Sequence, residues 1–354
     1  MTTSSSSDLR VGLIGYGFIG DLHCRAAQAS GATVVAVSGH SGDRARAFAA
    51  AHGIAEATDD WTSLTSRDDI DLIVIGTPNS LHHSQAMESL RAGRHVLIDK
   101  PMAMNVAQAD EMIAAAESGD RVLAVGHMWR YRTEVIALRD RIRAGKLGEI
   151  VRTRGYGIHS GWGPSGWFVD PALSGGGALI DMGIHAIDTT RFLLDDPEPV
   201  RTSASLGATF RNVAVPDTDA AEVAPETTGK GRFIDDDGVV LIDWDQGTRS
   251  VIECGWWQPI LDGVEADVEC FGTLGHARIW PGFTATSPPS PTYEHCSLDM
   301  YAAQMADVLA CCSSGAVPVA NAAVGRIALA IVEAAYDAAR LPGQASVESI
   351  RSAS

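Results

Sequence analysis

The chain has 354 residues, 45% hydrophobic and 20% charged, with a formal net charge of −17 at pH 7. Such an acidic excess argues against nucleic acid and anionic membrane surfaces as partners, although local N–H groups can still hold an anionic cofactor. No apolar run reaches the roughly 18 residues a membrane span needs, no basic segment leads into an apolar one as in a signal peptide, and the six cysteines form no C-x-x-C pair, so reduced thiols in the cytoplasm are expected.

Residues 1–7, rich in Ser and Thr, are expected to be disordered, and residues 8–126 to form a first domain. Leu9 to Ile14 reads as a buried strand running into Gly15-Tyr16-Gly17-Phe18-Ile19-Gly20 and a helix over about residues 21–30. In strand, G-x-G-x-x-G, helix, the first glycine makes the turn, the second admits a pyrophosphate to the backbone and the third packs helix on strand. The glycine loop of S-adenosylmethionine-dependent methyltransferases is the main competing reading. Apolar runs at 33–37, 71–75, 94–98 and 121–125 alternate with helical patterns at 43–52, 80–92 and 105–117, which predicts a doubly wound parallel α/β sheet. Ligands of such sheets bind at the carboxyl ends of the strands. Those ends carry the glycine loop, Thr77-Pro78-Asn79 with His82 just beyond, Asp99-Lys100-Pro101 and Gly126-His127. Pro101 disfavours helical geometry before it and holds Lys100 extended, where a lysine can reach a reacting oxygen. Alone, Lys100 could equally be a solvated surface lysine.

After residue 126 the pattern changes, and residues 127–354 are assigned to a substrate-binding and oligomerisation domain. A helix over 135–144 and a strand over 149–158 precede strands at 238–244, 248–257 and 265–271, whose short connections predict a large, mainly antiparallel sheet. Residues 239–242 are apolar at consecutive positions, as are 251, 252 and 254 around Glu253, so both faces of this sheet seek cover. One face would pack on the chain's own helices and the other on a second subunit, in a homo-oligomer that is a dimer or a tetramer. Residues 216–237 and 283–295 read as surface loops, and 297–313 and 321–340 as helices.

Between these strands lies Gly175-Gly176-Gly177-Ala178-Leu179-Ile180-Asp181-Met182-Gly183-Ile184-His185-Ala186-Ile187-Asp188. Asp181 and His185 are four residues apart, one above the other on an α-helix, with apolar residues on the flanks. A carboxylate and an imidazole so placed suit proton transfer at neutral pH. A helix ion pair is the bland alternative, and metal ligation by Asp181, His185 and Asp188 is another, weakened by the lack of a fourth ligand nearby. His127, Met128, Trp129 and Arg130 after the fifth strand, and Tyr156, His159, Trp167 and Phe168 from the second domain, are expected to line the cleft. Trp162 lies in the same loop without an assigned role.

The motifs G-Y-G-F-I-G, T-P-N, D-K-P and G-G-G-x-x-x-D-x-G-x-H-x-x-D, in this order, resemble the glucose-fructose oxidoreductase/inositol dehydrogenase (Gfo/Idh/MocA) family over about residues 9–340. The resemblance implies a Rossmann domain followed by an α/β domain with a large antiparallel sheet, and NAD(P)-dependent oxidation or reduction of hydroxyls of sugars, polyols and related compounds. It places the family's lysine on Lys100 and its aspartate and histidine on Asp181 and His185, and puts Trp167 near the cofactor. The family motif usually reads E-K-P, so Asp99 is one methylene shorter at the nicotinamide ribose. After the second strand the turn Ser38-Gly39-His40-Ser41 has no acid before Asp43. An acid there holds the ribose hydroxyls of NAD; without it Ser38, His40, Ser41 and Arg44 can bond a 2′-phosphate, which favours NADP.

In the reaction this implies, His185 removes the proton of a substrate hydroxyl, Lys100 bonds that oxygen and Asp181 orients Lys100 or His185, with no metal. A non-catalytic NAD(P)-binding sensor is the rival from another class, but it has no use for Lys100, Asp181 and His185 together. The aromatic and weakly basic cleft residues predict a neutral, cyclic, polyhydroxylated substrate, an expectation against which Arg130 stands.

Overall fold

The computed structural model describes residues 9–160, 162–210, 234–258, 265–279 and 297–340. The expected disordered tail, the 283–295 loop and all but the end of the 216–237 loop lie outside them.

The first sheet holds β1 (Arg10–Ile14), β2 (Thr33–Ser38), β3 (Glu56–Thr58), β4 (Leu72–Ile75), β5 (His95–Ile98) and β6 (Leu123–Val125) in the order β3-β2-β1-β4-β5-β6, with every pair parallel. Short apolar strands of this kind are stable only when covered on both faces. Helices α1 (Phe18–Ala29), α2 (Gly42–His52), a short α3 (Thr62–Thr65), α4 (Asn79–Arg91) and α5 (Val106–Gly119) supply that cover. Strand order reverses between β1 and β4, which sets a ligand crevice at their carboxyl ends. Neither β3 nor α3 was expected: Glu-Ala-Thr has no apolar periodicity and is a strand only through its pairing with β2.

A 3₁₀ turn (Met128–Tyr131) and α6 (Thr133–Arg143) lead to the second sheet. It contains β7 (Ile150–Ser160), β8 (Pro199–Gly207), β9 (Asp237–Trp244), β10 (Arg249–Gln258), β11 (Glu265–Gly272) and β12 (His276–Arg278), ordered β12-β11-β7-β10-β9-β8. All its pairs are antiparallel except β7 with β10. α7 (Pro171–Ser174) precedes a π-helical turn at Leu179–Gly183, which continues into α8 (Ile184–Leu193) and lies against β7 and β10. Val240, Ile242, Ile252 and Cys254 are buried on that face, whereas Val151, Val239 and Leu241 are exposed on the other.

The chain then returns to the first domain. α9 (Leu298–Ser314) packs on α1, with His23 edge-on to Tyr301 at 5.2 Å. Gln304 donates to the Val125 carbonyl at 2.8 Å, and α10 (Ala322–Arg340) packs across β8, α5 and α8. The end of the 216–237 segment is not the surface loop expected: Asp235 and Asp236 are buried, and Asp235 lies beneath the G-G-G segment.

Candidate active site

The glycine loop has the three features a pyrophosphate site requires. Gly15 has φ 111°, and a Cβ there would fall 2.3 Å from the Gly76 carbonyl oxygen; a Cβ on Gly20 would fall equally close to the Gly15 oxygen. Around Gly17 there is open space, and no side chain caps α1, so its first N–H groups point at the crevice. The residues present therefore fit a dinucleotide. Phe18 is exposed and Ile19 half-buried at the edge of the loop.

Tyr16 organises the far end of this crevice. Its hydroxyl accepts from the Ser41 backbone N–H at 2.9 Å and meets His40 Nδ1 at 3.2 Å, while Arg44 lies over its ring. Its ring also lies where a Cβ on Gly39 would be. His40 and Arg44 are exposed beside it. Ser41 uses its hydroxyl to cap α2. Ser38 departs from expectation: it is fully buried, so its hydroxyl is closed off from a 2′-phosphate, and its carbonyl accepts from Gly15 N–H instead.

The turns at the carboxyl ends of β4 and β5 brace one another. Thr77 Oγ1 donates to Gln85 at 2.6 Å, and buried Asn79 donates to the Ser174 carbonyl at 2.7 Å, tying the Thr77-Pro78-Asn79 turn to α7. His82 lies between the carbonyls of Pro101, 2.8 Å from Nδ1, and Thr77, 2.9 Å from Nε2. Both carbonyls only accept, so both bonds require a doubly protonated ring, yet burial takes its pKa down to about 4. One N–H bond is therefore made at neutral pH. His82 positions these loops and does not line the cofactor groove.

Lys100 projects from the end of β5, where its peptide bond to Pro101 is cis. Its Nζ donates to Asp181 Oδ1 at 2.8 Å and to the Asp181 carbonyl at 2.7 Å. The other carboxylate oxygen, Oδ2, accepts from the Trp256 indole N–H at 3.0 Å and stands 3.9 Å from His159 Nε2. Burial pushes the Asp181 pKa up, but the Lys100 and His159 charges and the bonds from Lys100 and Trp256 outweigh it and leave it below the usual carboxylate range. At Asp99 burial, with the Asp181 charge nearby, outweighs the charge and backbone N–H of Lys100 and raises the pKa to about 6. His185 is buried in the first turn of α8; burial first, then the charges of Lys100, His127 and His159, hold its pKa well below the ordinary histidine value. The site thus presents a cation, a carboxylate and a neutral imidazole together.

Asp181 does not stand in a regular α-helical turn. It lies in the π-helical turn, where each turn takes an extra residue, so its carboxylate points to Lys100 and Trp256. The start of that turn is held by a residue the sequence reading missed. Asp235 accepts from the backbone N–H of Gly177 at 2.9 Å, from that of Leu179 at 2.7 Å and from the Tyr336 hydroxyl at 2.6 Å. Trp256 was missed likewise; its signal was that a buried indole needs a partner for its N–H.

Several expected cleft residues lie elsewhere. Arg130, 1% exposed, bonds Asp188 at 2.9 and 3.0 Å through Nε and Asp196 at 2.7 Å through Nη2, so it is not a substrate ligand. The same pair engages Asp188 and removes the proposed third metal ligand. Among the described residues no group of three or more His, Cys, Asp or Glu side chains could hold a metal ion. Met128 and Trp129 pack in the apolar core. Tyr156 lies on the sheet face away from α8, because Gly155 and Gly157 on the alternate positions of β7 face that helix; its hydroxyl meets Glu269. His127 and His159 are buried on the Lys100 side, His127 Nδ1 being 3.6 Å from Asp188. Trp167 and Phe168 stack on each other at 3.9 Å in a 3₁₀ turn at Gly166–Val169.

Residues 9–127 match the model of an oxidoreductase family with an NAD-binding Rossmann fold, and residues 135–278 that of the GFO/IDH/MocA C-terminal domain. The 1,5-anhydro-D-fructose reductase of Ensifer adhaerens is 36% identical over 51% of the chain, a match that spans only 56% of that relative's length. The levoglucosan dehydrogenase of Pseudarthrobacter phenanthrenivorans is 30% identical over 70% of the chain and 67% of its own length. In structure the chain is similar to GenD2 from gentamicin A biosynthesis, solved in complex with NAD, with a TM-score of 0.79, 25% identity and 94% of each chain covered. With both family models matched along the chain, it belongs to the Gfo/Idh/MocA family of oxidoreductases.

Proposed function

We propose that the protein oxidises a secondary hydroxyl of a neutral cyclic sugar, polyol or related compound, or reduces the corresponding ketone. The observation that carries this reading is the part-buried Lys100–Asp181 pair near neutral His185, at the carboxyl edge of a dinucleotide-binding sheet. When bound, the nicotinamide cofactor supplies the hydride acceptor or donor; the residues that would hold it are the loop Gly15–Gly20, the Thr77–Asn79 turn, Asp99, Lys100 and Trp167. His185 takes the hydroxyl proton, for which it must be unprotonated, as its surroundings ensure. Lys100 stabilises negative charge on the same oxygen, and Asp181 keeps the ammonium charged and aimed. His127 and His159 supply polar partners for the remaining hydroxyls. Arg130 is fully engaged by Asp188 and Asp196, which removes the one guanidinium that spoke for a carboxylated substrate.

NADP is favoured over NAD in this reading, because His40 and Arg44 border the ribose end of the crevice and no acid precedes Asp43. The uncovered face of the second sheet is the proposed contact with another copy in a dimer or tetramer. Among the described residues no helix is long and apolar enough to cross a membrane, and Cys24, Cys254, Cys270, Cys311 and Cys312 are unpaired, in keeping with the proposed cytoplasmic placement. The test is a spectrophotometric screen of sugars, inositols, anhydrosugars, lactones and sugar acids with NAD and NADP separately. Turnover of neutral ring compounds, faster with NADP, is expected; turnover of sugar acids alone would overturn the substrate class.

A further inference from the structure

Trp162 takes no part in the chemistry above, yet 51% of its surface is exposed. Its indole lies on the imidazole of His159, with ring centroids 3.7 Å apart and planes inclined by 31°. One face is therefore covered, and the exposed area belongs to the other. The residue is also held in place. Its carbonyl accepts from the Trp257 N–H at 2.7 Å, and a Cβ on Gly163 would fall 2.4 Å from the Trp257 indole, so the loop is pressed onto that ring. Trp257 itself has φ 55°, a conformation a bulky residue adopts only when its surroundings enforce it and one that collects at functional sites. The residue before it, Trp256, bonds the catalytic carboxylate. The Trp256–Trp257 pair thus fixes Asp181 and the Trp162 platform together. From Asp181 the path runs outward through buried His159 to the free face of Trp162.

We propose, on the footing of the sugar or polyol reading, that Trp162 is the platform of an outer subsite that binds the second pyranose ring of a glycoside while the first ring is oxidised at Lys100 and His185. The reacting ring has to lie inside His159, within reach of both groups. A ring joined to it by a glycosidic bond extends toward solvent, where its apolar C–H face can cover the exposed indole.

The experiment compares cellobiose, methyl β-D-glucopyranoside and myo-inositol, by calorimetric binding to the cofactor-loaded protein and by steady-state kinetics, for the wild type, Trp162→Ala and Trp162→Phe. The wild type should prefer cellobiose to the methyl glucoside. Trp162→Ala should weaken cellobiose binding roughly five- to tenfold, in line with the loss of one aromatic stacking contact. It should leave the methyl glucoside constants and kcat unchanged, and Trp162→Phe should restore most of the preference. Equal constants for the two glucosides in the wild type, or an unchanged ratio in Trp162→Ala, would overturn the subsite. Oxidation of myo-inositol with neither glucoside bound would also overturn it while the polyol reading stands; failure to bind or oxidise all three would overturn both.

Discussion

At the residue scale, the proposed reaction divides the work between Lys100 and His185 by charge. Lys100 is held next to a carboxylate, which favours its ammonium form, whereas burial first, and then the charges of Lys100, His127 and His159, hold the His185 pKa well below the ordinary histidine value. For the base this fixes the sign of the pH dependence: a lowered pKa keeps His185 unprotonated through neutral pH, and the acid limb of kcat/KM should fall below the ordinary histidine value of 6.5. Removing the Lys100 charge removes one of the causes of that lowering, so the residual activity of Lys100→Met should have its acid limb shifted upward, as a pH–rate profile would show. A limb unmoved, or moved down, would contradict the electrostatic account. Arg130 offers the opposite test. Arg130→Met should lower stability by about 3–5 kcal/mol, since it leaves Asp188 buried without its partner, while the KM of a neutral substrate stays unchanged. Chemical denaturation together with kinetics separates these two effects. Sequence reading singled out Lys100, Asp181 and His185 by their spacing and their place at a strand end or in the G-G-G helix, and the structure sets Lys100 against Asp181 and near His185. The same reading misplaced Arg130 because residue type shows what a side chain can bind but not which distant carboxylate, here Asp188 or Asp196, reaches it first.

At the element scale, the π-helical turn is what aims Asp181. It is pinned at its start by Asp235 and Tyr336, and Gly177 approaches this support so closely that a Cβ would fall 1.9 Å from the Asp235 carbonyl oxygen. Gly177→Ala should therefore displace the turn and reduce kcat strongly while the Rossmann domain still binds dinucleotide, measured by the fluorescence of bound NADPH or NADH. Tyr336→Phe, which removes one buried bond, should cost about 0.5–1.5 kcal/mol of stability and a smaller part of kcat. If both variants turn over like the wild type, Asp235 supports the fold and not the catalytic geometry. The D-x-x-x-H spacing read as a plain α-helical face because an extra residue in one turn leaves no local mark in the sequence. What stabilises it comes from Asp235 and Tyr336, 58 and 159 residues from Gly177. The strands β3 and β8 escaped notice for a related reason: polar edge strands are defined by their neighbours, not by their own periodicity.

At the scale of the whole molecule, the alternation of apolar strands and helices was enough to read the doubly wound sheet, which buries both faces and leaves continuous apolar runs, and strands in succession were enough to read the second, mainly antiparallel sheet. The second sheet differs: Val239 and Leu241 are exposed on one face while Val240 and Ile242 are buried on the other. If a second copy covers that face, Leu241→Lys should shift the protein toward monomer in light scattering while the site, on the other side of the sheet, keeps its activity as far as the monomer is stable. The account as a whole stands or falls on Lys100. Turnover followed at 340 nm for wild type and Lys100→Met, with the preferred neutral ring substrate and cofactor and with cofactor binding measured in parallel, is its most direct test. A loss of roughly 10²- to 10⁴-fold in kcat with dinucleotide affinity retained is the predicted result; near wild-type turnover by Lys100→Met would contradict it.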